Sequence, residues 1–391
     1  MLTLGGHYKE FNDQVASQMM VARLSEHATL PAPLRKKQGF IVRKSQNNIP
    51  DGFGFYVTID VDSDSLQNHS ITAPVISLPE TYKYLADGDV IRITPENKSL
   101  RVLYRRESLH NNFLITERCN HYCLMCSQPP KNVNDSWIVD EILRAIPLID
   151  PATKELGFTG GEPTLLGDDF IKILQTCKNY LPNTSIHILT NGRTFNDHEF
   201  TKKYASINHH DMMVGIPVYS DISSIHNYVV QAENAFDETI KGILNLKRLN
   251  QQVEIRVVIH KQTYERLPQL AEFIARNLTF VDHVALMGLE VTGFTKANMP
   301  TLWIDPVEYQ THLYKAASLL ANYGIRTSIY NHQLCVLDKR LWPFARKSIS
   351  DWKNEYLAQC NDCLEKQNCG GFFSSTIAKH SDHIQPFLQQ L

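Results

Sequence analysis

From residue 111 onward the chain alternates two hydrophobic periods, and that alternation restricts the folds open to it. Six short apolar runs recur: "NFLIT", "KELGFTG", "SIHILTNG", "MMVGIPVYS", "VEIRVVIH" and "VDHVALMGLE". Helical patterns separate most of them, at about 138–147, 167–180, 197–205, 236–249 and 264–277. Strands joined through helices pair in parallel, because a parallel pair needs a long crossover. The expectation is an α/β fold, a partial (β/α)6 barrel whose loops at the carboxyl ends of the strands build the site.

The first hundred residues read differently. "GFIVRK", "GFYVTIDV", "DVIRITP" and "LRVLYRR" are β-branched or aromatic runs broken by "NNIPDG", "LADGD" and "PENKS". They predict a small antiparallel β-rich domain over 1–108, followed by the barrel over 109–300 and a cysteine-bearing segment over 301–391. Trp303, Trp342 and Trp352 are expected to pack that last segment onto the barrel.

With 43% hydrophobic and 20% charged residues in 391, the chain can bury a sizeable core. A net charge of −2 carries no basic footprint for nucleic acid. No apolar run is long enough for a membrane span, and the start "MLTLGGHYKEFND" lacks the stretch of a signal peptide. A cytoplasmic protein is expected, where clustered cysteines read as metal ligands or redox groups before disulfides.

Three of the eight cysteines, Cys119, Cys123 and Cys126, sit in "CNHYCLMCSQ" directly after the first strand. Spacings of four and three let one loop wrap three thiolates around one metal centre. Thiolates suit zinc or an iron–sulfur cluster. A structural zinc site takes four protein ligands, whereas three on a four-iron cluster leave one iron open to a further ligand. A zinc site completed by His121 or a distant residue, or buried unreactive cysteines, are the alternatives. Cys177, within "FIKILQTCKNYL", reads as a small buried hydrophobe.

The Cys-x3-Cys-x2-Cys spacing resembles the signature of the radical S-adenosylmethionine (SAM) superfamily. "GFTGGEP" ends the second strand, and Gly160, Gly161, Glu162 and Pro163 match that family's Gly-Gly-Glu-Pro motif. The resemblance implies a 4Fe-4S cluster on Cys119, Cys123 and Cys126, with SAM chelating the open iron. It implies reductive cleavage of SAM to a 5′-deoxyadenosyl radical. The Gly-Gly-Glu-Pro turn would receive the SAM amino group, through glycines that admit a close ligand and through a carboxylate or backbone carbonyl that accepts from an ammonium. Asn191 in "LTNG", Ser220 in "YSD" and Arg256 on the fifth strand are the further cofactor-binding candidates.

Near the end, Cys360, Cys363 and Cys369 follow Cys335 by twenty-five residues or more. Four thiolates close a metal site without a vacancy, and zinc suits them as well as iron. The pattern resembles a shortened auxiliary-cluster (SPASM/twitch-like) segment of peptide-modifying radical SAM enzymes, which implies a second 4Fe-4S cluster. "HNNFLITERCNHYCLMCSQPPK" with "CNDCLEKQNCGGFF" is similar to the C-type radical SAM maturase of His-Xaa-Ser repeat peptide systems. That resemblance implies three partners: a precursor peptide bearing His-Xaa-Ser repeats, a companion radical SAM maturase, and an electron donor such as flavodoxin or ferredoxin. A radical SAM enzyme acting on a small metabolite, one that activates a partner protein, and a non-catalytic zinc scaffold are the other readings.

Overall fold

The structure is a computed structural model that describes residues 3–10, 19–43, 49–60, 71, 73–347, 354–377 and 379–389. It divides into two units. The first comprises Met1–Phe113, Ser136–Leu156 and Ile173–Thr184; the second comprises Leu114–Asp135, Gly157–Lys172 and Ser185–Leu391.

The first unit carries strands β1 (Gly5–His7), β2 (Lys9–Glu10), β3 (Met20–Ser25), β4 (Gln38–Val42), β5 (Phe55–Ile59), β6 (Val75–Leu78), β7 (Val90–Thr94) and β8 (Ser99–Tyr104). They form one sheet in the order β1-β8-β7-β3-β4-β5-β6-β2. Its core forms two clusters, one around Leu24, Val57 and Ile91 and the other around Phe40, Phe53 and Tyr56. The antiparallel expectation needs correction here. β3 pairs β4, β4 pairs β5 and β5 pairs β6 in parallel, while β7 with β3 and with β8 is antiparallel. The chain between those parallel strands runs a dozen residues or more, including the short helix α1 (Ala32–Arg35), which is long enough for crossovers.

The second sheet has the order β15-β14-β13-β12-β11-β10-β9. Its strands are β9 (Asn111–Leu114), β10 (Glu155–Thr159), β11 (Ser185–Leu189), β12 (Met212–Pro217), β13 (Gln252–Ile259), β14 (His283–Gly288) and β15 (Thr327–Tyr330). The registers from β11 to β15 are all parallel. The expected α/β partial barrel is present, with all six anticipated runs as strands. β15 is a seventh, after the turn at Gly324 (φ 76°).

Helices α2 (Trp137–Ala145), α3 (Asp168–Tyr180), α4 (His198–Ser206), α6 (Ala235–Arg248) and α7 (Leu267–Asn277) fall where the 3.6-residue period placed them. α5 (Ser223–Val230) was not foreseen, because "SSIHNYVV" is rich in β-branched residues. Short helices α8 (Phe294–Ala297) and α9 (Met299–Leu302) precede α10 (Gln310–Asn322), and the tail closes with a small pair of strands, β16 (Asn354–Glu355) and β17 (Phe372–Phe373). Trp342 stacks edge-on against Phe387, and the Lys379 ammonium sits 5.0 Å from the Trp303 ring, both contacts within the last segment itself; Trp352 lies outside the described residues. Among the described residues no helix is long and apolar enough to cross a membrane.

Candidate functional site

The loop after β9 carries Cys119, Cys123 and Cys126, all half-buried. Its base is fixed by Asp135, a side chain only 2% exposed. The Asp135 carboxylate accepts from the Thr116 hydroxyl (2.8 Å), the Glu117 amide (2.6 Å) and the Arg118 Nε (3.1 Å). Further along, the Tyr122 and Leu124 amides donate to the Val230 and Val229 carbonyls at the end of α5. The Phe294 amide donates to the Cys126 carbonyl (2.9 Å), and the Asn298 Nδ2 donates to the Leu124 carbonyl (2.8 Å). Segments far apart in sequence therefore set the backbone course of the cysteine loop.

The thiols respond to one another. Burial pushes Cys119 up to about 11, and the charges of Glu162 and Cys126 push in the same direction. Burial, then the charges of Cys126 and Cys119, raise Cys123 further. Burial also raises Cys126, whose thiol donates to the Gln128 carbonyl at 3.0 Å. Cys126 thus bears on both Cys119 and Cys123, and Cys119 on Cys123, which places these sulfurs near one another. Among the described residues no three His, Cys, Asp or Glu side chains converge at single-ion distances. A four-iron cluster attaches each cysteine to a different iron, so it needs nearby thiols rather than thiols meeting at one point. The donor set fits such a cluster.

The Gly-Gly-Glu-Pro turn follows β10 and lies against the start of the cysteine loop. The Gly161 amide donates to the Thr116 carbonyl (2.8 Å) and the Glu162 amide to the Arg118 carbonyl (2.7 Å). A Cβ on Gly161 would stand 2.0 Å from the Arg118 carbonyl oxygen. One on Gly160, at φ 155°, would stand 2.4 Å from that of Thr116. The close approach these glycines permit is to the chain's own backbone. Pro163 then opens a 3-10 turn, Pro163–Leu166.

Glu162 is completely buried. Its Oε1 accepts from the Thr164 amide (3.0 Å), the Thr164 hydroxyl (2.6 Å) and the Thr190 hydroxyl (2.6 Å), and its Oε2 from the Asn191 amide (2.6 Å). Burial raises its pKa, and these hydrogen bonds oppose the rise. Asn191 also donates through Nδ2 to Asn120 Oδ1 (2.6 Å), which ties the turn after β11 to the cysteine loop. The structure thus brings Cys119, Gly160, Gly161, Glu162 and Asn191 into one connected group.

Ser220 and Arg256 have other immediate partners. The buried Ser220 Oγ accepts from the Ile222 amide at the start of α5 (3.1 Å). Asp221 beside it is paired with Arg266. Arg256 donates to Glu254 Oε1 (2.6 Å), two residues earlier on β13, and to the Met287 sulfur (3.2 Å). Glu254 also meets His283 Nδ1 (2.6 Å), so Arg256 belongs to a buried ionic cluster across β13 and β14.

His226 and His260 were not anticipated as part of this region, and His121 was weighed only as a residue that could complete a zinc site. His121 within the cysteine motif has no hydrogen-bond partner at either ring nitrogen, and the Nε2 atoms of His226 and His260 have none either. All three are buried, and burial brings His121 down to about 3 and the other two to about 4. Tyr219 stacks near both His226 and His260, at centroid distances of 5.8 and 6.2 Å. Their sequence spacing gave no sign of this grouping.

The tail brings its four cysteines together. Cys335, Cys360, Cys363 and Cys369 all line one small cavity, walled also by Phe372 and Ile384, whose empty space of about 350 Å³ includes its open mouth. Burial pushes Cys335 up to about 11, with the charges of Cys369 and Cys360 adding to it. The Cys363 sulfur accepts from the Phe387 amide (3.4 Å). Four thiols around one apolar-walled cavity fit a cluster with no open iron. Cys177 is fully buried in α3, away from both sets in sequence and without a metal-binding partner among the described residues.

Comparison with solved structures finds several at low identity. "Native anSMEcpe with bound AdoMet and Cp18Cys peptide" is 18% identical, with a TM-score of 0.44, 56% of this chain covered and 62% of that one. SuiB from Streptococcus suis bound to S-adenosylmethionine is 13% identical, with a TM-score of 0.43, 62% of this chain covered and 50% of that one. Coproporphyrinogen III oxidase (HemN) from Escherichia coli, a radical SAM enzyme, is 14% identical, with a TM-score of 0.45, 56% of this chain covered and 54% of that one. The chain thus spans between half and two thirds of the length of these proteins. No curated protein matches it. Residues 113–274, which hold the cysteine triplet, the Gly-Gly-Glu-Pro turn and β10 to β13, match the description "Radical SAM superfamily".

Proposed function

We propose that the protein is a radical SAM enzyme that modifies a ribosomally made His-Xaa-Ser repeat peptide, working beside a companion radical SAM maturase and an electron donor such as flavodoxin or ferredoxin. The observation that carries the enzyme reading is the loop of three half-buried cysteines, hydrogen-bonded through its base to the Gly-Gly-Glu-Pro turn. In this reading Cys119, Cys123 and Cys126 hold a 4Fe-4S cluster, which supplies the electron that cleaves SAM to a 5′-deoxyadenosyl radical. The peptide assignment rests on the sequence resemblance.

The chain's own part is positional. Asp135 and Asn298 fix the loop that presents the thiolates. Cys126, whose thiol donates to the Gln128 carbonyl, would give up that proton and bond in order to ligate a metal. Glu162 holds the turns after β10 and β11 together, and the Gly-Gly-Glu-Pro turn would receive the SAM amino group. Asn191, Ser220 and Arg256 would complete the proposed cofactor contacts beside the hydrogen bonds they make to the chain. Cys335, Cys360, Cys363 and Cys369 hold the auxiliary 4Fe-4S cluster. Residues 1–108 form the β-rich domain, 109–300 the barrel, and the region from 301 carries the auxiliary site while lending β15 to the sheet.

Anaerobic reconstitution followed by reduction in the presence of SAM tests this. The expected product is 5′-deoxyadenosine, and mass spectrometry of a co-expressed His-Xaa-Ser peptide should show a mass change that requires this protein. Colourless protein holding two zinc ions per chain and no cleavage would remove the enzyme reading.

A further inference from the structure

Just beyond β12, the side chains of Tyr219, Ser220 and Asp221 differ in what they are tied to. Ser220 Oγ accepts from the Ile222 amide (3.1 Å) and donates to Asp221 Oδ1 (3.4 Å), and the Asp221 carboxylate is held by Arg266. Tyr219 is only 7% exposed, yet its hydroxyl makes no hydrogen bond to any described residue. Nor is that oxygen sealed inside, as the hydroxyls of Tyr82 and Tyr204 are, so it borders open space.

The contacts that hold the residue say which space this is. The Tyr219 amide donates to His226 Nδ1 (3.2 Å) on α5. One turn later the same helix offers the Val229 and Val230 carbonyls to the amides of Leu124 (2.9 Å) and Tyr122 (3.1 Å), the residues on either side of Cys123. Helix α5 therefore fixes Tyr219 and Cys123 against each other. The Tyr219 ring belongs to the apolar cluster of Met125, Val229, Val230 and Leu302, and Cys123 and Leu124 pack on that cluster. His226 and His260 flank the ring, at centroid distances of 5.8 and 6.2 Å, and limit its freedom to turn. Burial raises the hydroxyl above the ordinary range and the charges of Cys123 and Cys126 add to it, which places the oxygen near both sulfurs.

A buried tyrosine hydroxyl ordinarily finds an acceptor. None comes from the chain here, while the Cys126 thiol gives its own proton to the Gln128 carbonyl. Cysteines bind metal as thiolates, and a thiolate is an anionic acceptor. We propose that the Tyr219 hydroxyl donates to the sulfur of Cys123 or Cys126 in the metal-bound triplet and thereby raises the potential of the cluster held there. The inference rests on the proposed function, in which that triplet holds a 4Fe-4S cluster. A reduced cluster carries one more negative charge than an oxidised one, so a donor at sulfur favours reduction.

The test is a redox titration of the reconstituted full chain. The EPR signal that responds to added SAM identifies the triplet's cluster, and its potential is then titrated without SAM. Tyr219→Phe removes only the oxygen and should make reduction about tenfold less favourable, a shift of about 59 mV to more negative potential for a one-electron couple. A ring-fluorinated tyrosine introduced at 219 keeps the ring and makes the hydroxyl a stronger donor, so the potential should rise; this arm stands even where the Phe variant folds poorly. Tyr204→Phe removes a buried hydroxyl on α4 and should leave the potential where it was. An unchanged potential with both replacements at 219, or an equal shift in the Tyr204 variant, would overturn the proposal. So would weaker SAM binding by Tyr219→Phe at an unchanged potential, which would give the hydroxyl to the cofactor. A parent protein with no SAM-responsive cluster would remove the proposed function and this inference with it, whereas a cluster of unaltered potential removes this inference alone.

Discussion

Glu162 Oε2 lies 2.6 Å from the backbone amide of Asn191, so a buried carboxylate joins the turn after β10 to the turn after β11. With three donors on its other oxygen, the side chain is a fastening point between loops that both reach the cysteine segment. Glu162→Ala would leave the Thr190 hydroxyl and the Asn191 and Thr164 amides without their acceptor. A loss of about 3 kcal/mol in stability is expected, since each stranded buried donor costs on the order of 1–3 kcal/mol and some find water. Urea denaturation checks this. SAM affinity should fall in the same variant through disorder of the two turns, and an Ala variant of parental stability would show that the carboxylate's bonds are dispensable.

Gly161 gives a sharper test of how the turn sits. A methyl group there would overlap the Arg118 carbonyl at 2.0 Å, and the neighbour is backbone that cannot swing aside. Gly161→Ala should cost about 3 kcal/mol, at the upper end of overpacking effects, and should lower iron incorporation by displacing the cysteine loop. Gly167→Ala is the control. Nothing lies within 4 Å of that position, and the penalty is the positive φ of 57°, about 1 kcal/mol. Equal effects of the two substitutions on iron content would show that the contact with Arg118 does not shape the site.

The two cysteine sets should separate by role. Cys126→Ala should abolish 5′-deoxyadenosine formation, because in the proposed function the triplet would hold the cluster that leaves an iron open. Replacing Cys360 and Cys363 by Ala should cut iron per chain by roughly half if two four-iron clusters are present. It should leave SAM cleavage at a reduced level and stop modification of the peptide. Iron analysis and product quantification on both variants check the division. A folded tail variant that still modifies peptide at the parental rate would overturn it.

Much of the site was legible because its parts are close in sequence or stand at strand ends. The triplet's spacing and the turn after β10 mark themselves, and the alternation of periods places both on loops at one edge of a parallel sheet. The role of Glu162 was not legible in the same way. Its donors come from Thr190 and Asn191, about thirty residues away, and nothing local announces that the carboxylate is enclosed. Asn298 bonding the Leu124 carbonyl spans a still longer separation. Arg256 read as a candidate for the cofactor carboxylate, yet Glu254 on its own strand already meets its guanidinium. Alternation along a strand puts residues two apart on one face, so that pairing was open to inspection. The parallel pairing of β3 to β6 was hidden because short β-branched runs say where strands are and not which way neighbours run.

The Glu254 cluster predicts how acid affects stability. Burial alone would raise the Glu254 carboxyl, but its hydrogen bond from His283, with the charges of Arg256, His187 and His283, holds it at about 2 against an ordinary 4.5. A carboxylate whose folded pKa lies below its unfolded value adds stability at pH values above the unfolded pKa. As pH falls through 4.5 the unfolded chain takes up the proton first, so that stability drains away until the folded carboxyl is itself protonated near pH 2. A difference of this size corresponds to about 3 kcal/mol. Glu254→Gln removes the titrating group while nearly keeping its volume. The variant should be less stable than the parent at pH 6, because the half-buried Arg256 loses its anion. It should then lose less stability than the parent between pH 5 and pH 3, by up to about 2 kcal/mol, the share of the window covered. Asp89 acts in the opposite sense, since burial lifts it to about 6, but it is present in both proteins and cancels in the comparison. Parallel pH profiles for the two proteins, followed by urea midpoints at each pH, would mean that Glu254 titrates alike in the folded and unfolded chains, and the ionic cluster would lose its part in acid stability.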